Sequence, residues 1–174
     1  MIESGAKGNI VSVTAGESFY MAVTDKGEIL RSDDGLKWHV TDYNEKYSGY
    51  NKPCVFNYIL AGGNAIVICG MHHDGTPVVI SSALGNVWAE RILNYRDDHG
   101  VIRFMSNCPN SIAWDKVRDQ HILACDNGEI FSLPSCIKCN ASAIISGSDI
   151  HAIACHDDLL FCGGRGFTFN VIRF

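Results

Sequence analysis

Several kinds of segment are missing from this chain of 174 residues. No run of 18 apolar residues occurs, so no membrane-spanning helix is expected. Met1 to Lys7 carries no apolar stretch like that of a secretory signal, which leads to the expectation of a cytoplasmic protein. There is no block of Lys and Arg, and the net charge is −5. Affinity for a phosphate backbone needs clustered cations, so nucleic acid is not an expected partner. No Gly-x-Ser-x-Gly elbow announces a serine nucleophile. Gly163-Gly164-Arg165-Gly166 lies within a hairpin pattern rather than between a strand and a helix, which argues against a phosphate-cradling loop. Cys136-x-x-Cys139 has no second such pair, and half a tetrahedral site does not hold zinc. The expectation is therefore no cofactor, no metal site and no catalytic residue set.

What the chain does have is repetition. Ser32-Asp33-Asp34-Gly35-Leu36-Lys37-Trp38 returns as Ser81-Ser82-Ala83-Leu84-Gly85-Asn86-Val87-Trp88, and in a worn form as Ser132 to Cys139. The leading serines are 49 and 51 residues apart. Before each box stands a pair of β-branched or aromatic runs joined by a turn containing glycine. Phe19–Thr24 leads through Gly27 to Glu28–Ser32, Ala65–Gly70 through Gly75 to Thr76–Ser81, and His121–Cys125 through Gly128 to Glu129–Ser132. A fourth pair runs from Leu159–Cys162 through Gly163–Gly166 to Phe167–Asn170. This is the sequence form of a β-hairpin. Another apolar strand precedes each: Asn9–Val13, Val55–Leu60, Ser111–Trp114 and Asp149–Cys155. Units of three or four strands at a period of about 40 to 50 residues have the dimensions of propeller blades.

The box resembles the Asp-box, or BNR repeat, of sialidases, sortilin-type receptors and photosystem II assembly factors. That resemblance implies an all-β fold, a β-propeller of about four antiparallel repeats near 9–52, 53–107, 108–148 and 149–174 in one domain spanning 1–174. It also implies roles for the box residues. Ser32, Asp34, Gly35 and Trp38, then Ser81, Gly85 and Trp88, would build turns whose tryptophans pack between blades. In the second copy Ala83 stands for the aspartate. A fourth box would fall beyond Phe174, so the last blade is expected to lack its outermost strand. Met1 to Lys7 could supply that strand and close a ring within the chain. Otherwise two chains complete a larger ring as a homodimer, or the chain is part of something longer.

Cysteine numbers eight in all. Cys69, Cys125, Cys155 and Cys162 sit within apolar runs, where cysteine acts as a small hydrophobe, so reduced thiols are expected. His72-His73-Asp74 and His156-Asp157-Asp158 occupy turn positions of the repeat, and a turn role is favoured over metal or acid–base work.

Two segments exceed what the strands need: Thr41 to Lys52 and Asn94 to Arg103. They gather Tyr43, Tyr47, Tyr50, Tyr95, Arg96, His99 and Arg103, residue types that dominate recognition surfaces. The expected function is a non-enzymatic interaction module whose loops contact a protein, peptide or glycan. The alternative, carried only by the box, is a sialidase-like glycoside hydrolase, for which Arg31, Arg91, Arg96, Arg103, Arg118, Arg165 and Arg173 stand in no recognisable motif.

Overall fold

Each run of Val, Ile, Leu and aromatic residues becomes a strand, and each turn containing glycine reverses it. The computed structural model describes residues 4–47, 53–96, 99–134, 140–144, 148–167 and 169–173. Among the described residues, four antiparallel sheets of three or four strands follow one another along the chain. The first holds β1 (Ile10–Ala15), β2 (Tyr20–Thr24), β3 (Glu28–Ser32) and β4 (His39–Asp42) in that order. A helix, α1 (Tyr43–Tyr47), follows; among the described residues it is the one departure from an all-β expectation apart from two 3-10 turns. The second sheet holds β5 (Cys54–Gly62), β6 (Ala65–His72), β7 (Pro77–Ser82) and β8 (Ala89–Glu90). A separate hairpin, β9 (Asn94–Arg96) with β10 (Ile102–Phe104), precedes the third sheet. That sheet holds β11 (Pro109–Asp115), β12 (Gln120–Cys125), β13 (Glu129–Pro134) and β14 (Asn140–Ile144). The fourth has three strands, β15 (Ile150–His156), β16 (Leu159–Gly164) and β17 (Phe169–Arg173). These are the blades of a β-propeller, four in number.

The blades stack face to face through their inner strands. β1 packs on β5, β5 on β11 and β11 on β15, and no comparable contact joins β15 back to β1 among the described residues. Alternation of side chains across each strand sends one set forward and the other back. Met21, Val23 and Ile29 of blade 1 meet Phe56, Ile59, Ile68 and Ile80 of blade 2. Val67, Cys69 and Val79 of blade 2 meet Ile112, Leu123 and Phe131 of blade 3. Ile122, Ala124 and Ile130 of blade 3 meet Ile150, Leu160 and Cys162 of blade 4. The middle strands are buried on both faces, which is why Ile66–Cys69 and Ile122–Cys125 read as unbroken apolar runs rather than alternating ones.

One irregularity recurs in all four blades. The inner strand shifts register at Ile10/Ser12, Phe56/Tyr58, Pro109/Ser111 and Ile150/Ala152. A bulge at the same place each time points one residue, Val11, Asn57, Asn110 or His151, out of the ladder.

The structure revises several expectations. In the first box Ser32 Oγ accepts from Gly35 N at 2.8 Å. In the second the same bond is made by Ser82, which accepts from Gly85 N at 2.8 Å, so Ser82 and not Ser81 is the box serine. The repeat then measures 50 residues from Ser32 to Ser82, neither copy is short, and Leu84 rather than Ala83 stands where Asp34 does. Ser81 takes another bond, from Arg91 Nε at 2.6 Å. Both boxes need φ > 0 at their glycine, 73° at Gly35 and 75° at Gly85, a conformation that favours residues without a Cβ. In the third repeat Ser132 pairs with Ile122, the position Arg31 holds against Met21 in blade 1, so Ser132 is not a box serine either. Cys136 and Cys139 lie outside the described residues. Trp88 is buried between blades 1 and 2, whereas Trp38 is only half-buried. Lastly, residues 4–8 do not extend blade 4: Lys7 N and Gly8 N donate to the buried Glu28 carboxylate of blade 1 at 3.1 and 2.9 Å.

Candidate functional site

The connections at one end of the blades, β1–β2, β5–β6 and β11–β12 together with the second box turn, surround a groove of about 950 Å³ that crosses blades 1 to 3. Its aromatic walls are Phe19 and Trp114, and Leu84 stands exposed at its edge. Glu17, Lys116 and Asp119 supply its charged groups. A smaller recess of about 340 Å³ shares Phe19 and Leu84 and adds Arg31 and Asn86.

Local sequence explains how each wall is set. Gly16 N donates to Phe19 O at 2.9 Å, closing a tight loop that folds the Phe19 ring back over Gly16. The Arg31 guanidinium lies 5.1 Å from the Phe19 ring centre, bonds the Leu84 carbonyl, and pairs with Asp33 at 3.2 Å. Trp114 leans over Gly62-Gly63 of the neighbouring blade. A Cβ at Gly63 would fall 2.5 Å from the Trp114 ring, and one at Gly62 would fall 2.6 Å away. Below Trp114 lies His121, its ring centre 4.7 Å from that of the indole. Burial holds the His121 imidazole neutral, with its pKa pushed down to about 4. The turn beside Trp114 is fixed by Asp115. This buried carboxylate accepts from Val117 N at 3.0 Å, Arg118 N at 3.1 Å, Arg118 Nη1 at 3.1 Å and Gln120 Nε2 at 3.2 Å. Burial alone would raise its pKa; the Arg118 and Gln120 bonds outweigh that and hold it below the usual range.

The tyrosine segments sit at the opposite end and periphery. Tyr43 is 1 % exposed, part of the core between blades 1 and 2, and stands edge-on to Phe56 at 5.6 Å. It cannot contact a partner, which corrects its placement on a recognition surface. Tyr47 packs against the same core, 4.6 Å from Tyr43, and its hydroxyl accepts from Trp88 N at 3.3 Å. Tyr95 fills the next junction outward, 5.8 Å from Phe131. Blades diverge toward the rim of a propeller, and large side chains fill the wedge. Arg96, His99 and Arg103 are exposed on or near the β9–β10 hairpin, Arg96 Nη1 donating to Gly100 O at 2.9 Å. Tyr50 lies outside the described residues. The structure thus splits the expected recognition set into wedge-fillers and exposed polar residues rather than gathering it.

His72 N donates to Thr76 O at 2.8 Å and Gly75 N to His72 O at 2.9 Å, the hairpin turn expected there. The His72 side chain is buried with Nε2 at 3.4 Å from Glu90. His156 and Asp157 likewise close the β15–β16 turn. The arginines are spread over the blades on local partners: Arg91 on Ser81, Arg118 on Asp115, Arg165 on Asp149 and Arg173 on Asp158. Six cysteines, Cys54, Cys69, Cys108, Cys125, Cys155 and Cys162, are free thiols. Burial pushes Cys54 up to about 12 and Cys155 and Cys162 to about 11, so they remain protonated. Among the described residues no group of three or more His, Cys, Asp or Glu is placed to hold a metal. No helix among them is long and apolar enough to cross a membrane.

Sequence reasoning missed Phe19, Leu84 and Trp114. The available signal was Trp114 itself, the one tryptophan outside the two boxes, at the end of a strand, with a Gly62-Gly63 pair one repeat earlier.

No protein-family model matches the chain. No curated protein matches it either. Solved structures do, and β-propeller proteins are among them. The computationally designed Ika4 protein shares 16 % identity at a TM-score of 0.64, covering 100 % of this chain and 96 % of its own. The designed Ika8 protein shares 14 % identity at 0.65, covering 97 % of this chain but 47 % of its own. YCF48 bound to D1 peptide shares 11 % identity at 0.60, covering 98 % of this chain and 52 % of its own. The chain therefore spans about half the length of the last two. At such identities the likeness is one of fold.

Proposed function

We propose that this chain is a non-enzymatic interaction module that receives an extended peptide segment of a protein partner in the Phe19–Trp114 groove. One observation carries the reading: two aromatic walls and an exposed leucine converge, from a loop, a turn and a strand end of three successive blades, around a groove of about 950 Å³. Buried strands hold these walls in place, so little order has to be imposed on binding. Phe19, Leu84 and the Arg31 stem would seat an apolar anchor, and Trp114 would cover a second. Glu17 and Asp119 against Lys116 favour a segment carrying a basic residue beside those anchors. A structural neighbour solved with a peptide bound supports a peptide as the ligand class. The Ser32–Trp38 turn is read as an Asp-box turn serving fold rather than chemistry, since Asp34 accepts from Leu36 N and Lys37 N at 2.8 Å within its own loop. A glycan is the other occupant that a half-buried tryptophan at a groove wall would suit.

Selection from a random peptide display library on the purified chain tests this. Selected peptides are expected to carry two apolar anchors and to lose at least tenfold affinity, about 1.4 kcal/mol, on Trp114→Ala. Leu84→Ala, at an exposed position, is expected to weaken binding with the fold intact. Enrichment of no peptide, or affinity indifferent to both changes, sinks the reading.

A further inference from the structure

We propose that two copies of this chain close one ring of eight blades, blade 4 of each packing on blade 1 of the other. Equivalent positions, defined by strand register, carry the argument. Val13 pairs with Ala22 as Ile59 pairs with Ile68 and Ile112 with Leu123. Ile59 and Ile112 are 0 % and 2 % exposed, each buried against the preceding blade; Val13 is 68 % exposed. Ile10 likewise occupies the place of the buried Phe56 and Ile150, and is itself exposed. On the other side, Ile29, Val79 and Ile130 pair with Val23, Cys69 and Ala124 and are buried against the following blade. Their counterpart in blade 4 is Phe169, paired with Gly163 and 68 % exposed. Val171, beside it and paired with Phe161, is 50 % exposed. The two end faces thus carry the apolar residues of an inter-blade junction, each without the blade it would meet. Apolar faces left open in this way mark interaction sites.

The polar part of the junction repeats as well. The bulge residue of blade 2, Asn57, donates to the carbonyl of Pro109 in blade 3 at 3.1 Å. The bulge residue of blade 3, Asn110, donates to the carbonyl of Ile150 in blade 4 at 3.2 Å. By the same rule the bulge residue of blade 4, His151, is placed to donate to the carbonyl of Ile10 in a following blade. His151 is exposed and can donate from a ring nitrogen.

A second copy is the occupant that offers the matching face. A head-to-tail contact closes into a ring when its rotation permits. Two larger propellers accommodate nearly the whole of this chain in about half of their own length, so rings with room for more than four such blades exist in this fold. Two halves of four blades give eight, within the range of closed propellers. Lys7 and Gly8 bond Glu28, and Ile10 and Val13 stay exposed.

The test is mass in solution. The chain is expected at twice its 19.1 kDa by analytical ultracentrifugation at micromolar concentration. Val13→Glu and Phe169→Glu should each give monomers, because every ring contains the altered face twice. Both sites are exposed in one chain, so the β-type circular dichroism spectrum should survive. Mixing the two variants should restore part of the dimer, since one junction then has both native faces. A monomeric parent chain overturns the proposal, as does a dimer indifferent to both substitutions. A dimer broken by only one of them indicates a like-with-like face contact, and growing polymers indicate an open arc; either result also overturns it.

Discussion

Tyr43 and Trp114 are both large aromatic residues placed at a strand end, and they finish in opposite situations. Tyr43 N donates to Gly27 O at 3.0 Å, which starts α1 and drops the ring into the wedge between blades 1 and 2. Trp114 stays half-buried because the neighbouring blade offers only Gly62-Gly63, a flat bed that the indole can lie upon but not sink into. The difference teaches that extra chain length between repeats is not by itself a sign of function. Radially arranged sheets leave space at their periphery, and tyrosines in connecting segments are drawn into it by the area they bury. The partly exposed aromatic surface comes instead from the tight β1–β2 loop and the end of β11, at the other end of the blades.

The largest test of that contrast is Tyr43→Ala. If Tyr43 is wedge packing, its removal leaves a cavity with little chance of collapse between two sheets, and the expected loss is about 3–5 kcal/mol. Urea unfolding with an unchanged slope would measure it. A loss under about 1 kcal/mol would return Tyr43 to the surface.

Next in size is an acid dependence seated beneath the groove. The His121 pKa is depressed from 6.5 to about 4 by burial, and its Nε2 has no hydrogen-bond partner. The unfolded chain therefore binds a proton that the folded chain refuses between those two values. Stability is full above pH 6.5 and falls as pH drops toward about 4. The expected total is about 3 kcal/mol, at about 1.4 kcal/mol per pH unit. His121→Phe keeps the ring under Trp114 and should flatten this part of the stability profile. An unchanged slope between pH 6.5 and 4 would show that other groups govern it.

Much of the architecture was legible because hairpins are local. The runs at Phe19–Thr24 and Ala65–Gly70, each with its glycine turn, were enough to place β2 and β6. The register of the second box was not, since Ser81 and Ser82 are adjacent and only the bond from Gly85 N distinguishes them. The groove was illegible for a stronger reason. Phe19, Leu84 and Trp114 lie on three blades, and nothing in their local sequence states that the blades stack in chain order. Conversely, Tyr43 and Tyr95 looked available because their segments are polar; burial by a neighbouring sheet is a tertiary fact.

A smaller effect should come from the groove's bed. Gly63→Ala adds a Cβ at φ 54° and within 2.5 Å of the Trp114 ring, so the indole must tilt. The expected loss is about 1–3 kcal/mol, the usual range for overpacking. Tryptophan fluorescence should shift as Trp114 moves, whereas Gly75→Ala, with nothing within 4 Å and φ 83°, should destabilise without that shift. Equal spectra for the two variants would mean that Trp114 does not rest on this bed.

The smallest difference separates two neighbours on one hairpin. Tyr95 faces inward, edge-on to the buried Phe131, while Arg96 faces outward and bonds the carbonyl of Gly100 in its own turn. Adjacent residues of a strand point to opposite sides, so the two share a backbone environment and differ in what their side chains touch. Tyr95→Ala should cost about 2 kcal/mol through lost burial and ring contact, below the figure for Tyr43 because Tyr95 is only partly covered. Arg96→Ala should fall within about 0.5 kcal/mol, as surface substitutions do. Measured side by side in urea, the pair decides whether this hairpin is a filler of the wedge between blades 2 and 3 or a surface element. If the two changes cost the same, the hairpin does not pack through Tyr95, and other contacts, such as that between β9 and β14, would have to hold it against the blades.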